Sequence, residues 1–203
     1  MRKSRYLILL LVLLFSLVMA GLALAQENKP QATPIETDSV AQAKAPASIL
    51  STSYVYTNTT PVAIPDNNCT TGYVTSTITV PDSFMIGDLN VGLWATHTYR
   101  SDMDLLLVHP DGTILNLLLD PDTGGDNLNA LLDDGSPNLA SADTTNHVAP
   151  PPYYTAWYRP TSPLSAFTGK NAQGQWTIRA CDDAGGDTGS LNTWTLFFES
   201  GVI

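Results

Sequence analysis

The stretch CDDAGGDTGSLNTW, residues 181–194, sets Asp182, Asp183 and Asp187 among glycines. Residues of this kind support three chemistries. Two carboxylates in a cleft act as acid and base when their surroundings separate their pKa values. Several carboxylates on pliable backbone wrap oxygens around a hard cation such as calcium. The same side chains also accept backbone N–H bonds in ordinary turns. Two further stretches carry the pattern, SDMD with Asp102 and Asp104, and DPDTGGD with Asp120, Asp122 and Asp126; Asp133 and Asp134 in LLDDG add a fourth. Nucleophilic catalysis finds little to build on. His97, His109 and His147 have no serine in a GxSxG elbow to activate, and no CxxC, zinc-ligand spacing or glycine-rich phosphate loop occurs.

Whether the acidic stretches meet depends on the elements that carry them. Period-two alternation recurs over 53–59, 73–80, 89–98, 104–109, 113–119, 175–181 and 191–199, with turn signals such as PDGT, TGGDN and GKNAQGQ between. No helical period follows residue 25. The pattern predicts an all-β domain, an antiparallel sandwich or jelly roll. PDGT makes 104–109 and 113–119 a hairpin, with Pro110 preset for the turn and Gly112 free to take positive φ. Trp94, Trp176 and Trp194 fall at strand positions and are expected in the core. In APPPYYTAWYRP, residues 149–160, proline excludes a central strand, so Tyr153, Tyr154 and Trp157 belong to a loop or edge; edge protection is one reading and a ligand platform the other.

Successive antiparallel connections alternate between the two ends of a sandwich. Loops 97–103 and 120–128 then share an end with Cys69, and a Cys69–Cys181 bond would bring loop 181–189 there too. Carboxylates so crowded repel one another unless a cation sits among them. The expectation is a structural calcium site drawing on Asp102, Asp104, Asp126, Asp182, Asp183 and Asp187, with turn chemistry as the alternative.

The chain opens with three basic residues, an apolar run and Ala23-Leu24-Ala25, the order of a secretory signal peptide cleaved after Ala25; an uncleaved anchor is the alternative. Residues 26–48 are rich in Pro, Ala, Gln and Thr without apolar periodicity and read as a spacer, leaving one domain over 49–203. Cleavage leaves six Lys and Arg against 19 Asp and Glu, a formal charge of −13. That charge argues against nucleic acid or an anionic membrane as partner. In an oxidising compartment the two cysteines, Cys69 and Cys181, favour a disulfide over two buried thiols.

The order of motifs carries a resemblance. IPDNN (64–68), STITV (76–80), HTYRSDMDLLLVHPDGT (97–113), GGDNLNALLDD (124–134) and GKNAQGQWTIRACDDAGGDTGSLNTWTLFF (169–198) together resemble the P domain, or P/Homo B domain, of the proprotein convertases, over about residues 64–199. His109 departs from the small residue common before that turn. The resemblance implies a jelly roll of about eight strands that packs against a subtilisin-type catalytic domain, helps it fold and influences its calcium and pH dependence. It also implies a hydrogen-bonded structural role for His97. Three functions follow as expectations: a secreted non-catalytic module serving a subtilisin-like protease or a surface protein in trans; a carbohydrate-binding module using Tyr153, Tyr154 and Trp157; and a part in serine endopeptidase chemistry by family association. The strands supply no Asp-His-Ser constellation, so no enzyme is expected from them alone.

Overall fold

The computed structural model describes residues 51–119 and 124–201. The expected signal peptide and spacer, and Asp120 and Asp122, lie outside the described residues. Ten strands follow in chain order: β1 Ser53–Asn58, β2 Val62–Ile64, β3 Val74–Val80, β4 Ile86–His97, β5 Met103–Val108, β6 Ile114–Leu118, β7 Leu128–Leu132, β8 Ala156–Tyr158, β9 Gly174–Asp182 and β10 Gly189–Ser200. Among the described residues the only helical turns are three short 3-10 segments. The strands form two sheets. The larger runs β1-β10-β4-β7-β8, with β2 also on β10, and the smaller runs β3-β9-β5-β6. Every pairing is antiparallel except that of β7 with β8.

Seven of the ten strands coincide with the alternating runs of the sequence. The other three lack the signal: β2 and β8 have three residues each, and β7 is the continuous apolar run LNALL, buried on both faces. Between the sheets, Val91, Leu93, Trp194, Leu196 and Phe198 meet Ile78, Leu105, Leu107, Trp176 and Ile178. The buried indoles are satisfied, Trp194 Nε1 donating to Ser76 Oγ at 2.8 Å and Trp176 Nε1 to the Ala172 carbonyl at 2.8 Å. Trp94 differs from the expectation. It is buried, but Leu93 and Ala95 take the core-facing positions of β4, so Trp94 lies on the sheet's outer face. The PDGT hairpin forms as expected, with Gly112 N–H donating to the His109 carbonyl at 2.9 Å and Gly112 at φ 90°.

The segment leading into β3 is tied to the end of β9. Cys69 and Cys181 are disulfide-bonded, with Cα atoms 5.0 Å apart and a sequence separation of 112. The segment before β3 is also sewn to the end of β9: Cys69 N–H donates to the Asp182 carbonyl, Asp182 N–H to Asn68 Oδ1 and Asn67 N–H to Asp182 Oδ1.

Candidate functional site

The disulfide end carries the acidic loops, and strand parity decides where each carboxylate points. On β5, Met103 and Leu105 face the core, so Asp104 projects from the outer face, opposite Cys181. An oxygen of Asp104 and both cystine sulfurs lie within 4.8 Å of one another. Both sulfurs are spent in the bond and no thiolate remains, so this trio is no metal site. Asp182 pairs with Met103 and therefore projects inward. Its Oδ2 stands 3.0 Å from His97 Nε2, with both side chains fully buried, and the pair bridges the ends of β9 and β4. The His97 ring is fixed from its other nitrogen, Nδ1, 2.8 Å from the Tyr99 carbonyl. Gly189 makes room: a Cβ there would sit 2.4 Å from the His97 ring and 2.3 Å from the Thr96 carbonyl. His97 thus has the structural, hydrogen-bonded setting implied by the resemblance.

Around this pair three more acids gather. Asp102 is buried, and the Asp183 N–H donates to the Asp102 carbonyl at 2.8 Å. Burial pushes the Asp102 carboxyl above its ordinary range, and the charges of Asp182, Asp187 and Asp183 push it further, with His97 opposing. Asp187 Oδ1 accepts the Thr98 hydroxyl at 2.6 Å. Asp66, in the IPDNN motif, accepts the Gly186 N–H at 3.0 Å on Oδ1 and joins the same loop. Sequence reasoning passed over Asp66 because only its neighbour Cys69 was placed at this end. Asp126 sits on the adjacent loop, where its N–H donates to Asn146 Oδ1 and its carbonyl accepts the His147 N–H, while its side chain is exposed. The buried carboxyls of the loop cluster are therefore Asp102 and Asp182, with Asp187 part-buried and Asp183 exposed on the same loop, and Asp104 on the opposite face of the smaller sheet.

Turn chemistry accounts for part of this group. Asp182 Oδ1 accepts N–H bonds from Asn67 and Ala184. Asp182 Oδ2 is fully buried and is met by His97 Nε2 at 3.0 Å. A buried carboxyl under like-charge stress from three neighbouring acids suits an oxygen-seeking divalent cation. Asp133 and Asp134 take no part. They lie at the opposite end near Asp88, where Asp134 accepts the N–H groups of Leu164 and Ser165 at 2.8 Å each.

A second buried polar network was not legible in the sequence. Arg100 is completely buried and spreads its guanidinium over the loops: Nη1 donates to the carbonyls of Asn127 at 2.6 Å and Thr145 at 2.9 Å, and Nη2 to the Asp143 carbonyl at 2.5 Å. Nη2 also lies 3.2 Å from Asp143 Oδ2, which meets His147 Nε2 at 2.5 Å. A lone arginine in HTYRSD carries no pattern that distinguishes this role from a solvated charge.

The aromatic stretch divides. Tyr153 is 52% exposed and Trp157 47%, but Tyr154 folds onto the larger sheet, where its hydroxyl meets Thr195 Oγ1 at 2.6 Å and its ring fills the space a Cβ at Gly92 would need. Trp157 Nε1 donates to Asp133 Oδ2 at 3.0 Å, and β8 is an edge strand flanked by prolines.

Comparison with known proteins agrees with this architecture. By fold, the chain is similar to the Aeromonas sobria serine protease crystallised in complex with a chaperone, at 18% identity and a TM-score of 0.50, covering 76% of this chain and 28% of that one. A second structure of the Aeromonas sobria serine protease aligns at 16% identity and a TM-score of 0.48, covering 75% of this chain and 27% of that one. This chain thus spans less than a third of the proteins it resembles. The family model of the proprotein convertase P-domain matches residues 86–198, more than half of the chain and strands β4 to β9 with most of β10, and the chain belongs to that family.

Proposed function

We propose that this P domain is a secreted, non-catalytic module that assists or docks onto a subtilisin-like protease, stabilised by calcium at its disulfide end. The observation that carries the calcium reading is the buried pair Asp102 and Asp182, one carboxyl raised by burial and like charge and the other fully buried against His97. Asp183 and Asp187 on the same loop would complete an oxygen-rich set. The ion would supply only charge neutralisation and a fixed loop geometry, and the P-domain fold brings no catalytic triad.

The expected result is a calcium-dependent melting temperature. At a hundredfold excess over the dissociation constant, calcium adds about 2.7 kcal/mol to the folded state. For a domain of this size that is a shift of roughly 5 to 10 °C. Thermal melting in chelator against millimolar calcium, with magnesium as control, reads it. Asp102→Asn separates the two readings of the loop. It removes a carboxylate whose ionisation burial and neighbours oppose, so without calcium it melts no lower than the parent, and it loses most of the calcium shift. An unmoved melting temperature in the parent chain assigns the cluster to turn chemistry.

For the accessory role, affinity capture with the secreted chain is expected to recover a subtilisin-like protease, while the purified chain hydrolyses no peptide. Capture of no protease, or turnover that persists at homogeneity, overturns it. The carbohydrate reading loses one of its three rings, because Tyr154 is held on the sheet.

A further inference from the structure

Parity along the strands defines the outer face of the larger sheet. Tyr54 and Tyr56 of β1, Leu196 and Phe198 of β10, and Leu89 and Val91 of β4 pack on the core, so Val55, Phe197, Glu199, Asp88 and Asn90 project away from it. Two hollows open on this face, and Val55 and Phe197 wall both of them. The first, of about 300 Å³, is mostly apolar and is bounded by Tyr153 and by Tyr154 lying over Thr195. Val55 is 58% exposed and Tyr153 52%, so an apolar surface faces solvent here. The second, of about 260 Å³, holds Asp88 and Glu199, which stand directly opposite each other on β4 and β10.

The carboxylates of the second hollow have no base to answer them. Glu199 accepts the Ser53 and Ser51 hydroxyls, which satisfy its oxygens without neutralising its charge. Desolvation by the surrounding sheet pushes the Asp88 carboxyl above its ordinary range; Asp133 pushes it further, the Leu89 N–H opposes, and Asp134 and Glu199 add to the rise. Asn90, in the same wall, keeps its Oδ1 buried without a donor among the described residues. No lysine or arginine lies on β1, β4 or β10. Elsewhere among the described residues, Arg100 is spent on Asp143 and Lys170 on Asp111, Arg179 lies on the smaller sheet, and Arg159 follows β8 at the other edge of the larger one.

We propose that this face docks an extended basic peptide segment of a partner protein, with an apolar side chain in the hollow beside Tyr153 and a lysine or arginine, two residues along, between Asp88 and Glu199. An extended chain points alternate side chains the same way about 7 Å apart, which is also the step from Phe197 to Glu199 along β10, so one segment serves both hollows. Phe197, shared by the two, presents its ring to the arriving cation. Charge selects against other occupants. A second copy of this face would bring the same two carboxylates and no base. Nucleic acid and anionic membranes are repelled, and an uncharged sugar leaves Asp88 and Glu199 unanswered. The groove stands apart from the calcium reading, because Asp88 lies at the end opposite the disulfide with Asp133 and Asp134.

Fluorescence anisotropy of the mature chain with two labelled peptides, Gly-Ser-Leu-Ser-Arg-Ser-Gly and its phenylalanine counterpart, tests this. The expected result is saturable binding with a Kd below about 1 mM that weakens as salt rises. Exchanging the arginine of the probe for glutamate abolishes binding, and exchanging its apolar residue for serine weakens it about three- to tenfold. Asp88→Asn combined with Glu199→Gln weakens binding at least about tenfold. Asp111→Asn, which removes a carboxylate elsewhere, leaves it unchanged. Near-ultraviolet dichroism shows that the variants remain folded. No saturation of either probe by about 1 mM, equal affinity for the glutamate probe, or indifference to the Asp88 and Glu199 substitutions overturns the proposal. Lys29→Gln with Lys44→Gln leaves the affinity unchanged; a gain of about tenfold would assign the groove to the chain's own spacer and overturn it as well.

Discussion

Replacing Cys69 and Cys181 together with alanine is expected to lower the unfolding free energy by about 4 to 5 kcal/mol. The size of the effect follows from the loop closed, since the bond joins residues 112 apart and restricts the unfolded chain most when the loop is long. The folded state supplies a reason for the loss to appear mainly in the unfolded ensemble. Three hydrogen bonds between Asn67, Asn68 or Cys69 and Asp182 still hold the two segments together when the sulfurs are gone. Urea unfolding under oxidising conditions checks this. The midpoint falls, and the slope rises because an uncrosslinked unfolded chain exposes more surface. A loss under about 1 kcal/mol would mean that native strain or residual unfolded structure cancels the entropic gain. The calcium shift should shrink in the same variant if the tie between residues 66–69 and 182 also fixes the acidic loop.

Legibility in the sequence followed the strength of local patterns. Long alternating strands such as β3 and β10 have a polar face and an apolar face, and period two marks them unaided. β7 failed because burial on both faces removes the alternation, while at β8 the prolines marked a loop or edge without resolving the three residues that pair. Parity placed Asp102 at the disulfide end, and the expected Cys69–Cys181 bond brought Asp182, Asp183 and Asp187 there. The same parity, carried one step further, assigns Asp104 and Asp182 to opposite faces of the smaller sheet, a distinction that needs the β5–β9 register and not just the loop order. Trp94 shows the matching limit. Aromatic size predicts burial, but which face of β4 is core depends on its register with β10 and β7. The Arg100 network was invisible because its acceptors are mostly carbonyls, which every residue possesses and no motif records.

That network carries the second large effect. Arg100→Met is expected to destabilise the domain by about 3 to 5 kcal/mol, the usual consequence of removing one partner from a buried ion pair. The loss exceeds that of a surface arginine for three reasons. The guanidinium is fully buried, so no water replaces it; Asp143 loses the cation 3.2 Å from its Oδ2; and the carbonyls of Asn127, Asp143 and Thr145 lose a shared donor. Arg100→Lys should rescue only part, since one ammonium cannot span loops that the planar fork reaches together. The pH dependence gives a separate signature. Burial by itself would raise the Asp143 carboxyl, but the Thr145 N–H, His147, the Thr145 hydroxyl and the Tyr158 hydroxyl outweigh it and hold the group below its ordinary value. A carboxyl lowered on folding contributes stability that is fully present above its unfolded value, about 3.9, and is lost as pH falls through its folded value. Asp143→Asn should therefore flatten the acid limb of the melting profile below about pH 4, besides lowering stability at neutral pH. A double-mutant cycle with Arg100→Met and Asp143→Asn should show coupling of more than about 1 kcal/mol, because the two share one desolvated site. Strict additivity would show that Arg100 acts through the loop carbonyls alone. In that case its role is to fasten segments 124–127 and 143–145 against the loop that carries Asp102, and the calcium shift should fall in Arg100→Met while remaining intact in Asp143→Asn.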